Sequence, residues 1–266
     1  MSTFRLLVAY DGSAYAGYAV QPGLPTVQGQ LEAALERIAG EAVRVATAGR
    51  TDSGVHALGQ VVSFEAPDAL TPERIAGALG AQLPPDISVL DAAPAPEGFH
   101  ARHSCVSRTY AYLIWNHASR NPLIDRFVVR EDRRLDTDAI DDALRHVVGT
   151  HDFSALARVR VDQDPMRTVM DAGAEREGDL VRIRVTARSF LHQMVRNIVG
   201  TVLDVGVGRR PPEWVAEVIA SRERSAAGQT MKPHGLTLVE AAYDGVDWPN
   251  RPATAWPWAT TAPLTI

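Results

Sequence analysis

The stretch from residue 49 to residue 56, GRTDSGVH, is the densest polar cluster in the chain and separates two strand-like stretches. Glycines near both ends allow tight backbone turns, so this segment is expected to be a short, rigid loop after a strand. Such a loop can hold the carboxylate of Asp52 in place, or Asp52 and Ser53 can simply bond to local backbone and cap a turn. Asp52, Ser53 and His56 crowd one loop without a G-x-S-x-G motif, which excludes a hydrolase triad.

The sequence around this loop alternates between strand and helix patterns. An apolar run at 4–10 predicts a buried strand, and Thr26 is expected to cap a helix with one apolar face. A strand at 43–48 leads into the loop, and strand sequence resumes at 61–66 before a helix near 72–82. This order of elements predicts an α/β half.

A second α/β half follows the Pro-rich stretch 84–96 and begins around residue 104. Its apolar periodicity predicts strands at 108–115, 167–175, 180–187 and 236–243, and helices at 136–148, 190–204 and 212–221. The predicted fold class is therefore α/β. The predicted division is an N-terminal domain 1–103, a C-terminal domain 104–246 and a Pro/Trp-rich tail 247–266.

Charge is distributed unevenly along the chain, although the net charge is only −5 for 266 residues. Residues 99–120 contain three arginines and no acid, and residues 180–210 contain six arginines against Asp204 alone. Arg182 and Arg184 alternate with apolar residues on one predicted strand, so its polar face is expected to meet RNA or water. Because the planar fork of arginine suits phosphate, the two segments favour an anionic ligand.

Cysteine usage, hydropathy and motifs limit the cellular setting and the cofactors. Cys105 is the only thiol and cannot close an intrachain disulfide, so a cytoplasmic protein is expected. The N-terminal apolar stretch is too short for a signal-peptide core or a membrane span. No nucleotide cofactor is expected, because neither G-x-G-x-x-G nor G-x-x-x-x-G-K-[ST] occurs. His100, His103 and Cys105 lack a paired C-x-x-C, so no metal is expected.

Aromatic and basic residues lie close together near the start of the second half. Tyr110 and Tyr112 share one face of a predicted strand, and Arg102 and Arg108 are nearby in the sequence. Aromatic rings beside arginines suit an extruded base and its phosphates, and two tyrosines packed in the core fit the pattern equally well. Arg196 interrupts an apolar helix, where it either reaches solvent or keeps a buried carboxylate ionised.

Five segments occur in a fixed order: YDGS at 10–13, TVQG at 26–29, GRTDSGVHA at 49–57, FHAR at 99–102 and FLHQMVRNIVG at 190–200. Together they resemble the TruA family of tRNA pseudouridine synthases, and the likeness extends from Tyr10 to about Tyr243. The chain departs from the family at Tyr18 and Ala19, where an aromatic residue and Gln are usual. It also has a less Pro-rich turn at 231–234.

The resemblance implies two α/β domains that share one mostly antiparallel mixed sheet, with a cleft between them. It implies a homodimer that cradles tRNA, and isomerisation of uridine to pseudouridine at positions 38, 39 and 40 of the anticodon stem-loop. No cofactor or metal is implied. The alternative is a non-catalytic RNA-binding or RNA-folding protein on the same scaffold.

The same resemblance implies roles for individual residues. It places the nucleophile at Asp52, its ion-pair partner at Arg196, and a base-stacking residue with possible proton transfer at Tyr110. The resemblance leaves open whether Asp52 attacks C1′, attacks C6 or abstracts the 2′ proton. Further substrate contacts are expected from Arg50, Arg102, Arg108 and His56.

Overall fold

The computed structural model describes residues 1–248, and these contain a single ten-stranded sheet and five α-helices. The strands are β1 (Ser2–Tyr10), β2 (Ala46–Thr47), β3 (His56–Ala66), β4 (Ile87–Pro94), β5 (Ser107–Trp115), β6 (Val129–Arg130), β7 (Gly149–Asp152), β8 (Met166–Glu177), β9 (Leu180–Ala187) and β10 (Leu236–Ala242). The helices are α1 (Val27–Ala39), α2 (Pro72–Gln82), α3 (Thr137–Arg145), α4 (Met194–Gly206) and α5 (Trp214–Ser221). Most of the predicted tail, residues 249–266, lies outside the described residues.

The strands lie in the order β4-β1-β3-β10-β5-β9-β8-β7, with β2 beside β3 and β6 beside β5. Neighbouring strands are antiparallel except that β10 runs parallel to β3 and β6 runs parallel to β5. The predicted α/β class, with one mostly antiparallel mixed sheet, is confirmed. Strand β10 is the last strand of the described chain, yet it lies between β3 and β5 and joins the two halves. The domain boundary at residues 103 and 104 stays a prediction.

Alternating side chains divide the sheet into two faces. Leu6 and Val8 of β1 belong to a large core, to which all five helices contribute buried residues, so the helices cover one face. Leu7 points the other way and packs in a smaller cluster with Ala101 and Cys105 from the segment before β5. A long segment without regular structure therefore covers part of the second face.

Several segments differ from the sequence predictions. The Pro-rich stretch 84–96 contains β4, which pairs with β1 at the edge of the sheet, where prolines near the strand ends cost few ladder bonds. The strand expected at 43–48 is only Ala46–Thr47, and β3 begins at His56, five residues earlier than expected. Helix α4 begins at Met194 instead of about 190, because Gln193 adopts a left-handed conformation with φ of 62°.

Helix α4 contacts the segment 228–231 at a distance that leaves no room for a side chain. A Cβ at Gly200 would overlap the carbonyl oxygen of Gln229, so glycine is required there. One turn earlier, Arg196 Nε donates to the Met231 carbonyl at 2.7 Å, and Met231 N–H donates to the Arg196 carbonyl at 3.2 Å. This close approach holds the Arg196 side chain in place.

We expect Gly200→Ala to lower the free energy of unfolding by about 1–3 kcal/mol, because the added methyl group must push the segment 228–231 away. Gly77→Ala is the matched control: Gly77 lies inside α2 with open space around a Cβ. This control should gain about 0.5–1 kcal/mol from helix propensity. Urea unfolding of both variants checks the pair, and a Gly200→Ala protein as stable as wild type would contradict the close packing.

Candidate active site

The loop between β2 and β3 is anchored by buried polar side chains from neighbouring strands. Gln60 of β3 is fully buried, and its Nε2 donates to the Gly49 carbonyl at 2.7 Å while its Oε1 accepts from the Gly49 N–H at 3.4 Å. The Tyr10 hydroxyl of β1 lies 2.8 Å from Thr51 Oγ1. Because these buried groups are partnered, they fix the backbone that leads into Asp52.

The YDGS turn after β1 supports the far end of the same loop. A Cβ at Gly12 would overlap the carbonyl oxygen of Val55, so only glycine fits at this contact. Gly12 N–H donates to His56 Nδ1 at 3.1 Å, and His56 Nε2 lies 3.1 Å from the His234 carbonyl oxygen. Two of the segments singled out in the sequence therefore pack against each other.

Asp52 lies at the tip of this loop and meets two basic side chains. One carboxylate oxygen, Oδ2, is 3.2 Å from Arg196 Nη1 of α4, and the other, Oδ1, is 3.5 Å from His192 Nε2. The Asp52 side chain is 29% exposed and that of Arg196 only 13% exposed. The carboxylate is thus held from one side by a nearly buried cation, while part of it stays open to a ligand.

A cleft of about 670 Å³ opens beside Asp52 between the two halves of the sheet. Among residues 1–248, the only acidic side chain that lines it is Asp52, against five arginines and three histidines, which are Arg50, Arg102, Arg108, Arg160, Arg196, His100, His103 and His192. Positive side chains in a concave site concentrate an anionic ligand. The cleft therefore suits a phosphate-bearing substrate placed against one carboxylate.

Tyr110 of β5 forms part of the same cleft wall. It is 8% exposed, and its ring meets Phe190 edge to face, with centroids 5.1 Å apart. Burial is the largest cause that raises the pKa of the Tyr110 hydroxyl, and the nearby Asp52 charge acts in the same direction. The phenol therefore stays neutral, and it offers the cleft an aromatic surface and a hydroxyl proton.

The comparison with known proteins matches this chain to a family model described as tRNA pseudouridine synthase, over residues 6–104 and 143–244. The chain belongs to the tRNA pseudouridine synthase family. Members of this family are isomerases. A curated relative named tRNA pseudouridine synthase A, from Halalkalibacterium halodurans, is 42% identical over 238 residues, or 89% of this chain and 90% of the relative. A relative of the same name from Rhodopseudomonas palustris is 41% identical over 246 residues, or 92% of this chain and the whole relative.

Two residues expected to touch substrate are engaged in structural contacts. All five N–H groups of Arg108 donate to main-chain carbonyls, which leaves none for a phosphate. The acceptors are Ala48, Arg102, Cys105 and Arg188. His56 is 2% exposed, and burial lowers its pKa more than the nearby Asp11 carboxylate raises it. Its ring is therefore neutral, accepts from Gly12 and donates to the His234 carbonyl.

The arginine-bearing face of β9 is also not a free basic surface. Arg182 Nε lies 2.7 Å from Glu175, and an Nη nitrogen of Arg184 lies 3.0 Å from Asp171, so β8 neutralises both arginines across the strand pair. Of the two expected partners of this face, RNA and water, these ion pairs do not favour RNA. Within residues 1–248, Arg50, Arg102 and Arg160 form no ion pair and line the cleft.

Sequence reasoning missed His192 and Arg160 as residues of the site. His192 stands in the segment FLHQMVRNIVG, four positions before Arg196, and falls within the helix predicted at 190–204. It lies outside the helix because Gln193 turns the chain first. Arg160 belongs to the segment before β8, which carries no motif, and only the tertiary fold brings it to the cleft.

We expect Arg108→Lys to lower the free energy of unfolding by about 1–3 kcal/mol, because an ammonium cannot replace the five donors of the guanidinium and leaves buried carbonyls unpaired. Arg102→Lys, an exposed change on the same cleft, should shift stability by less than about 0.5 kcal/mol. Thermal and urea unfolding measure both. If Arg108→Lys is as stable as Arg102→Lys, the carbonyl network does not stabilise the fold.

Proposed function

We propose that this chain converts uridine to pseudouridine at positions 38, 39 and 40 in the anticodon stem-loop of tRNAs, with Asp52 as the nucleophile. The observation that carries the proposal is the single carboxylate of an arginine-lined cleft, held by Arg196 at 3.2 Å. Membership of the tRNA pseudouridine synthase family supplies the reaction type.

The main group that the reaction requires from the protein is a carboxylate that is ionised and held in a fixed position. The N-glycosidic bond breaks, the uracil rotates, and C5 replaces N1 on the ribose, so no atom is gained or lost and no cofactor is needed. In each of three possible first steps, which are attack on C1′, attack on C6 or removal of the 2′ proton, Asp52 must carry its charge. The Arg196 guanidinium favours that charge and fixes its direction.

A uridine in a stacked stem must leave the stack before its sugar and base can reach Asp52. In our proposal the extruded uracil enters the cleft and stacks against Tyr110, whose orientation is maintained by the edge of Phe190. Base stacking on an aromatic ring is worth about 1–3 kcal/mol and tolerates rotation of the base about its own axis. An aromatic wall thus suits a base that must turn before it is rejoined.

The exposed arginines are assigned to the RNA backbone. Arg50 follows the anchored Gly49, Arg102 precedes β5, and Arg160 comes from the C-terminal half. In our proposal these arginines bind the phosphates on both sides of an extruded nucleotide. Arginine forks bind phosphate oxygens in pairs and add affinity that falls with salt. A folded tRNA is far larger than this cleft, and we propose that a homodimer provides the rest of the surface.

No helix within residues 1–248 is long and apolar enough to cross a bilayer. Because tRNA is modified where it is made and used, we propose the cytoplasm as the location.

Asp52→Asn tests the proposed function. The change keeps the shape of the side chain and removes the charge, so we expect a folded protein that binds tRNA but forms pseudouridine roughly a thousandfold more slowly or not at all. Asp171→Asn is the matched control, because Asp171 also pairs with an arginine but lies on β8, outside the cleft lining. The readout is pseudouridine in an unmodified tRNA transcript, with tRNA binding and melting measured on the same preparation.

An Asp52→Asn protein that folds, binds tRNA and still makes pseudouridine at the wild-type rate contradicts the assignment of Asp52. If the wild-type protein binds tRNA but forms no pseudouridine on transcripts with uridine at 38, 39 or 40, the non-catalytic RNA-binding alternative is correct.

A further inference from the structure

The imidazole of His192 lies beside the Asp52 carboxylate. Neither the first step at Asp52 nor stacking on Tyr110 requires it. Its Nε2 lies 3.5 Å from Asp52 Oδ1, on the opposite oxygen from the one that meets Arg196. The His192 side chain is 47% exposed and lines the cleft. One edge of the ring therefore faces the reacting carboxylate while the rest remains accessible to water.

The position of His192 is fixed by its backbone. Its carbonyl accepts from the Arg158 N–H at 2.9 Å, which forms an isolated bridge between this residue and the segment before β8. Gln193 then adopts φ of 62°, a left-handed conformation that costs a non-glycine residue roughly 1–2 kcal/mol. The surrounding fold maintains this strained turn and thereby presents the His192 side chain beside Asp52 instead of placing it on α4.

The last step of the reaction needs a proton acceptor. When C5 of the rotated uracil has bonded to C1′, that carbon carries both the ribose and its original hydrogen. Pseudouridine forms only when the C5–H bond breaks, because its electron pair must restore the C5–C6 double bond. The electrons of the C6–N1 double bond then move to N1, which takes up a proton. One proton leaves C5 and one arrives at N1, so the balance is zero.

Besides the Asp52 carboxylate itself, few groups in this part of the cleft can accept that proton. Because C5 has just joined C1′, its hydrogen is released within a few ångströms of the carbon on which Asp52 acts. Arg196 is permanently protonated and cannot accept. Tyr110 is held as a neutral phenol, since burial raises its pKa, and a neutral phenol is a poor acceptor. Imidazole is the side chain whose ordinary pKa suits proton transfer near neutral pH.

We propose that His192 is a catalytic residue that takes the C5 proton through Nε2 and releases it to water or to N1. This role rests on the proposed function. The charge that develops on the ring is stabilised by Asp52 at 3.5 Å and opposed by Arg196, so the carboxylate serves the first step as nucleophile and the last step as a counter-charge.

The test is the single-turnover rate of pseudouridine formation on tRNA transcripts that carry hydrogen or deuterium at uridine C5. We expect His192→Gln to slow the reaction roughly a hundredfold and to show a larger deuterium isotope effect than wild type, because breaking the C5–H bond becomes limiting. Imidazole added to the buffer should restore part of the rate to His192→Ala. His117→Gln, an exposed histidine outside the cleft lining, is the control and should behave as wild type.

Two results overturn the assignment: a His192→Gln rate equal to wild type, or a slower rate with an unchanged isotope effect and no rescue of His192→Ala by imidazole. The second result would make His192 a residue that only positions Asp52. Melting of both variants is measured alongside, and the partly exposed ring should be removable without unfolding. A wild-type protein that forms no pseudouridine overturns the proposed function as well, which separates that failure from the failure of His192.

Discussion

The ion pair between Asp52 and Arg196 is the interaction on which the rest of the site depends. It joins residues 144 positions apart, one on the loop before β3 and one on α4. A nearly buried guanidinium needs a partner, because an unpaired charge in such a place is strongly destabilising. Each member is fixed independently: Gln60 and Tyr10 hold the backbone of the loop, and the segment 228–231 holds the arginine. The relative position of these two anchored segments therefore sets the geometry of the carboxylate.

Placement of charge, and not its total, makes an acidic chain suitable for RNA. The net charge is −5, and several arginines from the most basic segment are neutralised by acids on neighbouring elements, as β8 does for β9. Three arginines without ion pairs among the described residues, Arg50, Arg102 and Arg160, lie at the cleft around one carboxylate. A polyanion is thus attracted locally while the rest of the surface repels it, which favours binding at the cleft over binding elsewhere.

Much of the fold follows from local pattern, since helices such as α1 and α2 begin at threonine caps and their apolar spacing is regular. What local pattern could not predict depends on partners distant in sequence. Strand β4 forms because it pairs with β1, and Arg108 is a structural residue because the distant carbonyls of Ala48 and Arg188 converge on it together with two nearby ones. The resemblance to a known family identified Asp52 and Arg196, whose residue types alone fit a capped turn and a solvent-facing side chain equally well. His192 was not predicted because a single left-handed residue moves it off the helix.

Arg196 is proposed to hold the Asp52 carboxylate in its reactive state. The most direct test of this role is the single-turnover rate of pseudouridine formation by Arg196→Gln. This variant keeps Asp52 and removes the cation beside it, together with the Nε donor to the Met231 carbonyl, so melting is measured alongside the rate. We expect a folded protein that binds tRNA and reacts about a hundredfold more slowly, since one preorganised charged donor is lost. Arg184→Gln, which removes an ion pair outside the cleft lining, should keep the wild-type rate. A wild-type rate for Arg196→Gln would show that Arg196 is not needed to keep Asp52 reactive.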